Sequence, residues 1–317
     1  MGIVGLNSGW RLFSGLATLV LVGCGSAGAP DGRAPGGGNG GSTGINTIGL
    51  GGTNTSGIPA SPDGGLPPGF TRTASGGYML GDPLTSSNAG GGATGTSGGS
   101  CGTTLVGVVR DFKEAHPDFG DYCCGDTRGA LAATLGADLK PVYALTGPAY
   151  ANGGTKLMTG PAEFNQWYRN VADVNLPYLL YLFFVPSGDV FTFRSDTFFP
   201  LDGKGWGNEN AGHNFSFTTE LHTQFKYKGG ETFQFTGDDD LWVYINGKLV
   251  IDLGGVHSQE NQSVSLDGKA GDLGITPGNA YPLDLFQAER HQSESHFRVD
   301  TNLEFVNCGV IAPGDIH

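Results

Sequence analysis

The sequence predicts a mainly β domain, a β-sandwich or partly open barrel with one or two short helices, preceded by a disordered Gly-rich tether. Three observations lead there. Short runs of β-branched and aromatic residues separated by glycine-containing turns fill the chain from Val106 onward. Helical periodicity is scarce. The first hundred residues hold 30 of the 57 glycines.

The tether comes first in the argument because its composition sets the boundaries. From Gly25 to Ser100 the residues are mostly Gly, Ser, Thr, Ala, Asn and Pro, and the only charged ones are Asp31, Arg33, Asp63, Arg72 and Asp82. Such a stretch cannot bury enough apolar area to offset the entropy of ordering it. As a random coil it would span on the order of 50 Å. Ahead of it, Arg11 precedes an apolar run from Leu12 to Val22 that ends in small residues. This is the pattern of a secretory signal, too short to span a bilayer as a helix. Leu21-Val22-Gly23-Cys24 resembles the lipobox of bacterial lipoproteins, which implies a diacylated Cys24 as mature N-terminus. Gly25 stands where Asp would resemble an inner-membrane retention signal, which favours the outer membrane, with the domain facing the cell surface or extracellular matrix. The expected organisation is a signal peptide over 1–23, a linker over 24–100 and a β-domain over 101–312.

Net charge of −13 and the lack of any basic run exclude nucleic acid as a partner class. With Cys24 set aside, Cys101, Cys123, Cys124 and Cys308 form an even set, expected as two disulfides in an oxidising compartment. A vicinal bond is strained, so Cys123 and Cys124 are each expected to reach one of the outer cysteines, in an order the sequence leaves open.

The strands follow in order. The run VGVVRDF ending at Phe112, YLLYLFFV (178–185) and DVFTFR (189–194) have strand composition, with Pro186-Ser187-Gly188 as a loop between the last two. FSFTTELHTQFKYK (215–228) alternates apolar and polar residues, and Gly229-Gly230 turns it into ETFQFTG. Leu241 to Ile245 and Leu249 to Asp252 flank Asn246-Gly247, the signature of a tight hairpin turn. YPLDLFQAER and HFRVDTNLEF give further strands. Helix is expected at Pro161 to Val171, where Phe164, Trp167, Tyr168 and Val171 recur at helical spacing, and over Arg128 to Leu139.

The chemistry concentrates at Asp238-Asp239-Asp240, three adjacent carboxylates at the mouth of the hairpin. They are either a solvated turn or the ligands of a cation. No HExxH spacing relates the histidines, and no GxSxG elbow or strand-linked nucleotide loop occurs in the folded part.

The motifs RDFKEAHPDF, FNQWYRNVADVN, FFPLDGKGWG, HNFSFTTELHTQFKYKGGETFQFTGDDDLWVYINGKLVIDLGGVH and YPLDLFQAERHQSESHFRVDT occur in one order and resemble the fibro-slime domain over roughly Leu105 to Asn307. That family is similar in turn to the protective-antigen-type (PA-14) β-domain of toxins, glycosidases and yeast adhesins. In the adhesins a pair of aspartates joined by a cis peptide binds Ca²⁺, which coordinates sugar hydroxyls. The resemblance implies Asp238 and Asp239 as that pair, with Glu289 in place of an Asn ligand and the backbone near His291 as a further donor. Asp240, Asp252, Arg290 and His257 are the expected ligand-binding surroundings. The implied function is a non-catalytic, surface-anchored, calcium-dependent module binding a polysaccharide or cell-surface glycan. The alternatives are a structural matrix protein whose Ca²⁺ only rigidifies the fold, and a glycosidase-related domain.

Overall fold

A computed structural model of the chain describes residues 77–84, 103–120, 123–151, 154–208 and 212–309. Cys24, Cys101, the signal segment and most of the stretch read as tether lie outside the described residues.

In chain order the strands are β1 (Gly77–Pro83), β2 (Thr104–Phe112), β3 (Gly125–Asp126), β4 (Ala149–Tyr150), β5 (Lys156–Met158), β6 (Asn175–Phe183), β7 (Val185–Ser187) and β8 (Val190–Ser195). They continue with β9 (Phe217–Lys226), β10 (Thr232–Gly237), β11 (Asp240–Ile245), β12 (Lys248–Leu253), β13 (Gly255–Val256), β14 (Glu260–Ser265), β15 (Ala280–Glu289), β16 (Phe297–Thr301) and β17 (Glu304–Asn307). The helices are single turns, α1 (Pro161–Phe164) and α2 (Ala270–Leu273).

Two sheets form a sandwich. The larger runs β1-β6-β2-β9-β15-β11-β12, with β17 on β9, and the smaller runs β14-β10-β16-β8-β7. Every pairing in them is antiparallel, which allows the side-to-side alternation read from the sequence. On β11, Leu241, Val243 and Ile245 enter the core between the sheets with Phe217, Leu221 and Phe225 of β9 and Phe233 and Phe235 of β10. The alternate residues Trp242 and Tyr244 face the other way and are equally buried. They pack under residues 113–174, a long excursion between β2 and β6, together with Phe112, Phe119, Phe164, Trp167, Tyr168 and Phe286. The larger sheet is thus covered on both faces, and this is why β11 reads as continuously apolar rather than alternating.

The mainly β class and most strands agree with the sequence. Three expectations do not. Gly77–Pro83, within the stretch read as tether, is a strand, because Tyr78 and Leu80 find apolar partners in the main core and pair along β6. Arg128–Leu139 is not helical: Leu131 bridges Tyr143, Thr134 bridges Lys248, and Leu139 adopts φ 63°. Tertiary pairing outweighs the helix preference of its Ala and Leu residues. The Pro161 helix lasts one turn, although Phe164, Trp167 and Tyr168 are buried as their spacing required.

Cys123 and Cys124 are bonded to each other, with their Cα atoms 3.1 Å apart and a cis peptide between them. This corrects the expectation that each pairs with an outer cysteine.

Candidate functional site

Three connections between the sheets meet at one end of the sandwich. β10 belongs to the smaller sheet and β11 to the larger, so Asp238 and Asp239 form the step between them. Residues 290–296 make the reverse step from β15 to β16, and residues 254–259 step from β12 to β14. Because β10 pairs with β14 and β16 while β11 pairs with β12 and β15, these connections lie side by side. The corner is tight: a Cβ on Gly237 would lie 2.4 Å from the His296 carbonyl oxygen.

The three aspartates diverge in role. Asp238 accepts the backbone N–H of His296 at 2.6 Å, and its other oxygen lies 2.7 Å from His296 Nδ1. Asp239 accepts the backbone N–H groups of His257 and Arg290, each at 3.1 Å. Asp240 accepts Gly255 N–H at 2.7 Å and pairs with Arg290 Nε at 2.6 Å. All three are at most 5% exposed, so the solvated-turn reading fails. Beside them Glu289 is fully buried; neither carboxylate oxygen makes a well-formed hydrogen bond, and the side chains near enough to share one are Ser295 and Asp239.

Burial and mutual repulsion set the electrostatics. Burial, then the neighbouring Asp240 charge, pushes the Asp239 carboxyl up to about 7 against the pull of Arg290. Burial, then the charges of Asp239 and Asp238, drives Glu289 well above the ordinary carboxylate range. Burial also raises Asp238 and Asp240, against the bonds from His296 and Arg290 respectively. Groups arranged this way gain strongly from a bound cation.

The structure thus brings Asp238, Asp239, Asp240, Glu289 and Arg290 together. The adhesin-like cis peptide is not at Asp238–Asp239; among the described residues the cis bond is Cys123–Cys124. The residues whose ligand atoms gather within 4.8 Å around Asp238 are Glu294 and His296, neither of which the sequence pointed to. His291 contributes its ring to a group with Cys123 and Cys124. His257 donates its N–H to Asp239, and its ring nitrogens lie 3.0 and 3.1 Å from the carbonyls of Ser258 and Leu253. Asp252 accepts the N–H groups of Gly129 and Gly254 and acts as a loop brace. The sequence signal for Glu294 and His296 was only their position in the step that answers the aspartate step.

The arrangement is an antiparallel two-sheet β-domain with a buried acidic corner at one end. Residues 202–317, the C-terminal part of the β-domain, match the PA14 domain family. Among curated proteins the chain is similar to three of Dictyostelium discoideum. Protein psiD is 36% identical over 217 residues, covering 64% of this chain and 41% of that protein. Protein psiQ is 36% identical over 222 residues, covering 63% and 21%, and Protein psiC is 36% identical over 201, covering 58% and 38%. The chain therefore spans less than half the length of these relatives. Among solved structures, the PA14 domain of MpAFP antifreeze protein aligns over 62% of this chain and 80% of its own at 12% identity and TM-score 0.26. A β-glucosidase from Kluyveromyces marxianus aligns over 58% and 20% at 11% identity and TM-score 0.24.

Proposed function

We propose that the domain is a non-catalytic, calcium-dependent module that binds an extracellular polysaccharide or cell-surface glycan, held at the cell envelope by a lipid on Cys24. The observation that carries the calcium reading is Glu289: a fully buried carboxylate whose oxygens meet no well-formed hydrogen bond, set against the carboxylates of Asp238 and Asp239 with only Ser295 beside it as a neutral donor. An ion would satisfy its oxygens and relieve the repulsion together. Asp238, Asp239, Glu289 and the backbone near His291 would hold Ca²⁺, which takes six to eight oxygen ligands. Glu294 adds a carboxylate at the rim, while His296 offers nitrogen, which suits calcium poorly. The ion would fix the corner and, where a coordination position is open, accept sugar hydroxyls.

A second reading is favoured by one fact, the low exposure of the three aspartates and Glu289. A cation so deeply held could serve only to rigidify the corner of a matrix protein. Calorimetry of Ca²⁺ on the wild type and on Asp239→Ala tests the site; unchanged affinity in the variant rejects it. A glycan array read with calcium and again with chelator separates the two readings. Calcium-dependent capture supports the lectin, whereas calcium-dependent self-association without capture supports the matrix protein. Release of sugar from common polysaccharides would instead reveal a glycosidase.

A further inference from the structure

Arg290 is 2% exposed and joins three parts of the molecule. Its backbone N–H goes to Asp239 Oδ2 and its Nε to Asp240 Oδ2, so one residue holds adjacent aspartates through main chain and side chain. Its Nη1 donates to the carbonyls of Asp118 at 3.2 Å and Leu157 at 2.5 Å, both in the 113–174 excursion. The guanidinium lies 4.8 Å from the ring centroid of Trp167, also in the excursion. Those contacts are braced in turn. The Asp118 carboxylate accepts Trp167 Nε1–H at 3.1 Å and Thr159 N–H at 2.7 Å.

A guanidinium is a planar fork whose donors have fixed relative directions. Here one limb is taken by Asp240 and another by two excursion carbonyls, while an aromatic face lies against the plane. A shift of Asp239 or Glu289 toward a cation would move the backbone at 289–290, and a fork held at Nε and Nη1, with Nη2 unpaired, would pass that shift to the excursion carbonyls. We propose that Arg290 is a positioning residue that couples cation binding at the acidic corner to the docking of the 113–174 excursion, so that ion and excursion become ordered as one unit. The coupling rests on the calcium reading above and extends it from a local site to the layer that covers the outer face of the larger sheet.

Hydrogen exchange of the full chain, in calcium and in chelator, reads the coupling directly, with calorimetry run on the same samples. Calcium is expected to slow exchange over 155–168 by about tenfold, the usual scale of coupling between two sites. Arg290→Lys retains the charge but lacks the fork, so with calcium at saturation, whatever affinity calorimetry finds for it, the variant should lose most of that protection. Calcium binding to the wild type without slower exchange in the excursion overturns the coupling and leaves the metal site standing. Absence of calcium binding overturns both. Protection that persists in Arg290→Lys also overturns the coupling. Should that variant not fold, Trp167→Phe, which removes the donor to Asp118, takes its place, and undiminished calcium-dependent protection there counts against the proposal.

Discussion

His222 sits on the outer face of β9, enclosed by charge. Its Nδ1 lies 2.7 Å from Asp284 and its Nε2 2.5 Å from Glu220, which also receives Arg110 and Lys140. Burial alone would push the imidazole down, but the Glu220 and Asp284 carboxylates outweigh it and raise its pKa to about 9. Burial likewise opposes the Glu220 charge, and Lys140 and Arg110 more than offset it, holding that carboxyl well below its usual range. A histidine near 6.5 when unfolded and about 9 when folded contributes stability that is complete below pH 6.5 and is lost as pH rises through 9. The whole contribution is about 3 kcal/mol at roughly 1.4 kcal/mol per unit. NMR titration of His222, with urea midpoints from pH 6 to 10, checks this; titration at or below 6.5 refutes it. None of this network was legible in the sequence, because Arg110, Glu220, His222 and Asp284 meet only through the pairing of β2, β9 and β15, and Lys140 joins them from the excursion. The aspartates were legible as a candidate, since three adjacent carboxylates opening a hairpin are either a solvated turn or a cation site, and the resemblance favoured the second. Their separate partners were not, because backbone donors such as His257 N–H carry no sequence signature.

At the scale of the element, the two glycines on either side of β11 show how differently a turn and a corner are held. Gly247 follows Asn246 in the β11–β12 turn with φ 71°, and a Cβ there would meet nothing within 4 Å. Gly247→Ala therefore carries only the conformational penalty of a left-handed residue, roughly 1–2 kcal/mol. Gly237 ends β10, where a Cβ would strike the His296 carbonyl at 2.4 Å and the Phe235 ring at 2.7 Å. Gly237→Ala should cost at least about 3 kcal/mol, in the range reserved for overpacking and strain. It should also weaken calcium binding by prising Asp238 from His296. Urea denaturation of the pair, with calorimetry, decides; equal losses would mean that the corner yields easily. The Asn-Gly turn was readable from sequence because its requirement is local. The corner was not, since Gly237 looks like any turn glycine until residues 290–296 lie against it. The same reason explains the Arg128–Leu139 error: its Ala- and Leu-rich run has helix preference, and only the bridges to Tyr143 and Lys248 reveal what overrides it.

For the whole molecule, the acidic corner is where the two sheets are joined three times over, so what stabilises it stabilises the sandwich. Without a cation, Asp238, Asp239 and Glu289 place carboxyls of raised pKa together in a buried volume, and folding must keep protons on them or bear their repulsion. A ligand that binds only the folded state adds RT ln(1 + [L]/Kd), about 2.7 kcal/mol at a hundredfold excess over Kd. For a domain of this size that corresponds to a rise in Tm of roughly 5–10 °C. Calorimetric scans at pH 7.5 in saturating calcium and in chelator should differ by that amount. Asp239→Ala should lose the difference, and its chelated Tm should change little, because relief of the buried repulsion opposes the loss of the two backbone N–H bonds that Asp239 accepts from His257 and Arg290. Magnesium should raise Tm less, since a site built from a corner and two loops does not supply the octahedron of short bonds that ion demands. A chelated wild type that melts with the calcium-loaded protein would show that the buried carboxyls are held by their protons alone. The corner would then be a feature of the fold rather than a place where the fold meets its ligand.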